Sequence, residues 1–142
     1  MQKLYEVAEK EGLTIEEFAP LPEGFYGLYY NEENHFPVAS LSREIYGQTI
    51  LERSVLAEEI GHYLTTSDHC LPKFFKNYTH RLSVSRQEYK ATRRGGQLLI
   101  SSTALLGAIT TGLEEVWELA EHFGVTEDLM GIRLHSWMVS GR

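Results

Sequence analysis

The sequence predicts a mostly helical α+β domain. Three observations carry that reading: apolar residues at helical spacing along much of the chain, two aromatic or β-branched runs too short for helices, and a central segment, 49–64, that is apolar on more than one side of the helical wheel. A length of 142 residues suits one hydrophobic core, so residues 1–142 are read as a single domain. With 42% apolar and 23% charged residues, the composition is that of an ordinary globular chain.

Leu4, Val7 and Ala8 recur at helical spacing before Gly12, and Thr14-Ile-Glu-Glu17 has the Ser/Thr-x-x-Glu pattern of a helix start, so two short helices are expected on either side of Gly12. Pro20 and Pro22 end the second. Gly24–Tyr30 and Phe36–Leu41, separated by the polar turn Asn31-Glu-Glu-Asn34, read as strands that pair antiparallel in a small sheet of two or three strands. The central helix follows. Residues 65–85 have no clear period and read as loop with short helices. Ser85 opens a polar helix that Gly95-Gly96 interrupts, and the apolar stretch 98–109 has no secure assignment. Thr111-Gly-Leu-Glu114 begins a helix to His122, Gly124-Val125-Thr126 turns, and Thr126 caps a last helix with Leu129, Ile132, Arg133 and Trp137. Residues 111–139 thus form a C-terminal helical hairpin.

A net charge of −7 repels phosphate backbones and weighs against direct nucleic-acid binding. The single cysteine, Cys70, has no intrachain disulfide partner and no companion for a thiolate metal cluster, which points to a reducing, cytoplasmic setting. No stretch reaches the roughly 18–20 apolar residues of a membrane span, and Met1–Glu6 lacks the apolar core of a signal peptide, so no membrane partner is expected.

Chemistry concentrates on the central helix. Residues four apart project from one helix face, so Glu58 and His62 stand one turn apart with Glu59 beside them. In a His-Glu-x-x-His metallopeptidase two histidines bind zinc from one face and the intervening glutamate moves the proton of the attacking water. Here Glu58 occupies the first histidine position. A carboxylate also ligates zinc, but its charge leaves zinc-bound water less acidic than imidazole does. Burying carboxylates uncompensated costs on the order of several kcal/mol each, so on an apolar helix these residues call for a cation or donors. The competing reading is an exposed Glu-Glu pair with an incidental histidine. His69, His80 and Glu88 are the candidates for a third ligand. Glu88 has the small Ala91 three residues on, where two helices could approach closely, yet Ser85-Arg-Gln-Glu88 is also a capping-box pattern in which Glu88 serves only the helix end.

Val55-Leu-Ala-Glu-Glu-Ile-Gly-His-Tyr63, then Thr65-Thr66, with Arg86-Gln-Glu88 and Ala91 downstream, resemble the ImmA/IrrE metallopeptidases over residues 41–99. The resemblance implies a zincin-like fold, a Zn2+ cofactor, Glu59 as catalytic base, and His62 and Glu88 as metal ligands, with Glu58 where the family has histidine. It implies a zinc-dependent endopeptidase whose protein substrate is a helix-turn-helix transcriptional repressor of a phage or mobile element. The substitution at Glu58 keeps open a catalytically inactive relative acting as a regulatory protein-binding domain.

Leu119-Ala-Glu-His-Phe-Gly-Val-Thr126 has helix-turn-helix spacing, which invites a DNA-binding alternative. Against it, Glu127 and Asp128 open the would-be recognition helix with negative charge. The pair would serve equally as a packed hairpin or a dock for the repressor, with Trp117 and Trp137 as buried anchors.

Overall fold

The computed structural model describes residues 1–32, 34–66 and 78–142, with backbone alone for residues 78–85. Leu4 and Ala8, one helical turn apart, are both buried and set α1 (Gln2–Glu11) against the core. Gly12 ends α1 in the left-handed conformation with φ 77°, and the Leu13 amide reaches back to the Ala8 carbonyl at 2.8 Å. Leu13 is thereby tucked into the core.

The chain then enters β1 (Thr14–Ala19), where the sequence pattern suggested a second helix. Thr14-x-x-Glu17 is a local helix-start signal, but the chain finds a strand partner instead: Thr14 pairs with Val38 and Ile15 with Ala39, in parallel. A register shift between Glu16 and Ala19 coincides with the positive φ of Phe18, as at a β-bulge. The two expected strands are present as β2 (Gly27–Tyr30) and β3 (Val38–Ser42), antiparallel with Gly27 opposite Leu41 and Tyr30 opposite Val38. The order β1-β3-β2 makes β3 central and leaves β2 at an edge.

After a 3-10 turn at Arg43–Ile45, α2 runs from Thr49 to Thr65, buried at Ser54, Val55, Leu56, Ala57, Glu59, Ile60 and Gly61. Burial over seven of these eight consecutive positions is the all-round burial that its sequence predicted. α3 (Tyr78–Leu99) starts before Ser85 and does not break at Gly95-Gly96. Ser85 therefore lies within the helix and no capping box forms at Glu88. The glycines survive mid-helix because tertiary contact requires them. A Cβ on Gly61 would overlap the Ala91 carbonyl, and one on Gly95 would overlap the Ala57 carbonyl, so α2 and α3 touch backbone to backbone. A Cβ on Gly96 would come 3.2 Å from Arg133 Cβ and Cδ, since Arg133 lies over that position.

Ser101 caps α4 (Ser102–Thr110), its hydroxyl accepting from the Ala104 amide at 3.1 Å. α5 spans Val116–Phe123, starting later than its sequence suggested because Thr111 closes α4 and Gly112 turns at φ 108°. Gly124 turns at φ 67°, and Thr126 caps α6 (Glu127–Ser140), accepting from the Leu129 amide at 3.3 Å. α2 grips this turn: the Arg53 guanidinium donates to the Phe123 and Gly124 carbonyls, and Ser54 Oγ accepts from the Thr126 amide at 2.9 Å. Arg133, 1% exposed, donates from Nε to the Ile100 carbonyl at 2.9 Å, placing a cation at the C-terminal end of α3 where the helix dipole favours it. Trp137 packs partly buried against the core, whereas Trp117 is 56% exposed and anchors nothing within the fold. Among the described residues no helix is long and apolar enough to cross a membrane.

Gly61→Ala and Gly95→Ala are expected to lower stability by about 1–3 kcal/mol in spite of alanine's better helix propensity, because the helices must part. Gly131→Ala, in α6 with open space around its Cβ position, should instead raise it by about 0.5–1 kcal/mol. Urea unfolding of the three variants checks this, and the same sign for all three would refute the backbone-contact reading.

Candidate metal centre

The fold brings α2, α3 and β2 around one group of side chains. Glu58 and His62 project from α2 one turn apart, and Glu59 points toward the sheet, 9% exposed. β2 passes directly over it. The missing Cβ of Gly27 would stand 2.9 Å from Glu59 Oε1 and would overlap a Val55 methyl, so only glycine lets the strand approach the carboxylate this closely. Two residues on, the buried Tyr29 ring lies parallel to the His62 ring, with centroids 6.3 Å apart and planes inclined by 6°.

From α3, Glu88 reaches His62. Each of its carboxylate oxygens lies 3.1 Å from His62 Nε2. The backbone contact of α2 with α3 makes this reach possible, because Gly61 adjoins His62 and Ala91 follows Glu88 by three residues. The structure thus brings together His62 and Glu88 in contact, with Glu58 and Glu59 within electrostatic range of both. His69 lies outside the described residues, as does the side chain of His80.

Burial and mutual repulsion raise the proton affinity of the group. Burial, then the Glu88 charge, pushes the Glu58 carboxyl up to about 7, with Asp128 adding to the rise and His62 opposing it. Burial raises Glu59 to about 8 against the pull of His62. Burial draws His62 downward, but its hydrogen bond to the Glu88 carboxylate and the other carboxylates around it outweigh this and its net shift is upward. Among the described residues, no Lys or Arg pairs with Glu58, Glu59, Glu88 or Asp128, and Glu59 makes no side-chain hydrogen bond.

The sequence pattern singled out Glu58, Glu59, His62 and Glu88, which the structure brings into one neighbourhood, and did not single out Gly27, Tyr29 or the electrostatic influence of Asp128. A glycine inside an aromatic strand is a recognisable signal of close approach, so Gly27 was findable. Asp128 was not, since its position in a first helical turn is explained locally by the dipole.

A family model described as the IrrE N-terminal-like domain, Peptidase_M78, matches residues 49–135. The chain belongs to this metallopeptidase family. The match begins at the first residue of α2 and runs through most of α6, so it takes in both helices of the His62–Glu88 contact. Neither a search of curated proteins nor one of solved structures gave a match.

The family implies a metal ion, and the donor chemistry here suits a divalent cation: an imidazole nitrogen, a carboxylate presenting both oxygens to it, and a buried carboxylate that no described Lys or Arg pairs. Among the described residues, however, no three His, Cys, Asp or Glu side chains close into a complete cage. His62 and Glu88 are gathered; Glu58 stands beside them.

Burial and the neighbouring charges make Glu58, Glu59 and His62 all hold protons more tightly in the fold than in the unfolded chain. The native state therefore binds more protons, and stability falls as pH rises from near the ordinary carboxyl value through the raised ones. Chelator-treated protein should lose several degrees of thermal midpoint between about pH 5 and about pH 8, and Glu59→Gln should flatten that slope. A midpoint that climbs steadily over this range would contradict the assignment.

Proposed function

We propose that the chain is a zinc-type metallo-endopeptidase acting on a protein substrate, with Glu59 as general base, His62 and Glu88 holding the metal, and Glu58 supplying the third donor. The observation that carries this reading is the buried Glu59 carboxylate, without a described Lys or Arg partner, on the same helix as the His62–Glu88 contact. When bound, the cation supplies Lewis-acid activation of water and of the scissile carbonyl. Glu59 takes the proton of the attacking water at a carboxylate oxygen and delivers it to the departing amide nitrogen. Its raised proton affinity suits both halves of that transfer near neutral pH. Gly27 clears the space this carboxylate occupies, and Val55 walls it from below.

β2 is an edge strand in the sheet, and its unpaired side offers main-chain donors and acceptors to an extended segment of substrate beside Glu59. An extended segment is what an exposed linker in a folded protein supplies. The resemblance to ImmA/IrrE peptidases favours a helix-turn-helix transcriptional repressor of a phage or mobile element as that protein, in the cytoplasm.

One observation favours a second reading. A carboxylate holds the first imidazole position, and no three-donor cage is closed among the described residues. In that reading the domain binds the same regulatory partner without cutting it.

Glu59→Gln should retain bound metal and lose cleavage by about 10²-fold or more, whereas His62→Ala should lose the metal itself. Metal analysis by mass spectrometry, alongside incubation with the repressor encoded nearest its gene, reads both. Stable repressor binding with no cleavage by the metal-loaded protein would replace the peptidase reading with the second one.

A further inference from the structure

On the β1 side of the sheet, away from β2, the fold turns two aromatic rings outward. Phe18, near the end of β1, is 57% exposed, and Tyr46, which closes the 3-10 turn after β3, is 67% exposed. The rings meet with centroids 5.1 Å apart and planes inclined by 86°, so each steadies the other and neither lies flat over its neighbour. Phe18 reaches this position with a φ of 56°, in the left-handed region that a bulky side chain rarely takes, at the register shift of β1. Strain of that kind persists only where the surrounding structure enforces it, and it clusters at ligand-contacting sites. Here the ring so placed faces solvent rather than core.

Two carboxylates border the rings. Glu17, the residue before Phe18, accepts from the Tyr5 hydroxyl, and Glu52 accepts at 2.7 Å from the amide of Gly47, the residue after Tyr46. Each keeps a second oxygen without a described hydrogen bond, and neither pairs with a described Lys or Arg, Arg43 of the same 3-10 turn included. Exposed ring faces beside carboxylates suit a cation, attracted by the ring quadrupoles and by charge complementarity. A guanidinium meets both demands at once, since its plane stacks on a ring while its edge donates to a carboxylate. Nucleic acid and anionic lipid are repelled by the same carboxylates and by the net charge of −7, and a second copy would set like charge against like. We propose that Phe18 and Tyr46, flanked by Glu17 and Glu52, dock an arginine-bearing basic segment of a partner protein. The strand order β1-β3-β2 sets this surface at the other edge from the strand that passes over Glu59, so a partner held there leaves β2 free.

The probe is a fluorescein-labelled peptide of alternating arginine and glycine, titrated against the full chain at low ionic strength and followed by fluorescence anisotropy. Phe18→Ala and Tyr46→Ala leave the net charge unchanged, so any diffuse attraction of a basic peptide to an acidic protein survives in both. Each should nevertheless weaken binding about fivefold or more. Phe36→Ala removes an 82% exposed ring that precedes β3, at the opposite end of that strand from Tyr46, and should leave binding unchanged. A peptide with lysine in place of arginine should bind more weakly than the arginine peptide. Phe18→Gly places a residue suited to a φ of 56°, so it should lose binding like Phe18→Ala while its thermal midpoint holds, and it covers the case in which Phe18→Ala does not fold. Equal affinity of the unaltered chain, the Phe18 variants and Tyr46→Ala means attraction by net charge alone and overturns the proposal, as does absence of binding to the unaltered chain. A monomer–dimer equilibrium in sedimentation that Tyr46→Ala abolishes assigns the surface to a second copy and overturns it as well. The peptidase reading stands in each of these cases.

Discussion

The contact of α2 with α3 at backbone distance is the constraint on which the rest of the molecule depends. Gly61 against the Ala91 carbonyl and Gly95 against the Ala57 carbonyl leave no room for a side chain between the helices. Glycine inside a helix costs about 1 kcal/mol relative to alanine, so positions of this kind persist only where close packing outweighs the loss. The return is geometric. Gly61 immediately precedes His62, and Glu88 precedes Ala91 by less than one turn, so the same approach that packs the helices carries the Glu88 carboxylate to 3.1 Å from the imidazole. A helix spacing set by leucines would hold the two groups several ångströms apart.

Against that packing gain stands an electrostatic cost. Glu59 is buried beneath β2, and Glu58 is shielded enough for its carboxyl to hold its proton into the neutral range. A fold optimised for stability alone would place apolar residues at these positions, as it does at Val55, Leu56 and Ile60 on the same helix. Nor does the surrounding structure relieve the charge. Arg53 is committed to the Phe123 and Gly124 carbonyls and Arg133 to Ile100 at the end of α3. Carboxylates concentrated on one apolar helix, next to a histidine and ion-paired to no described Lys or Arg, are the arrangement that binding a cation would make favourable.

Much of this was legible because it is written in local pattern. All-round apolarity identified α2 and its approximate ends, the spacing of Glu58 and His62 put them on one face, and Thr126 was recognisable as a cap. Ala91 signalled close helix approach three residues from Glu88. What misled were local signals overruled by distant partners. Thr14–Glu17 resembles a helix start, but Thr14 and Ile15 are β-branched and their partners, Val38 and Ala39, lie far along the chain. Gly95-Gly96 resembles a break, but Ala57 and Arg133 occupy the space that side chains would need, and the helix continues. The capping-box reading of Glu88 failed for a related reason: the helix begins upstream of Ser85, so there is no end there to cap. Gly27 over Glu59 and Asp128 beside Glu58 are relations between elements, and one element's sequence does not encode them.

The C-terminal pair acquires a different meaning from the same geometry. Its turn has the spacing of a helix-turn-helix, yet Arg53 and Ser54 of α2 bind that turn through the Phe123 and Gly124 carbonyls and the Thr126 amide. Ser54 precedes Glu58 by one helical turn, and with the start of α6 fixed at Ser54 the Asp128 charge falls within electrostatic range of Glu58. The acidic first turn, unfavourable for a helix meant to enter a DNA groove, has a use inside the molecule: it completes its own α6 dipole and contributes charge to the centre on α2. A perturbation at the α5–α6 turn is therefore coupled to the carboxylates on α2 through two hydrogen-bonding residues, without passing through the sheet.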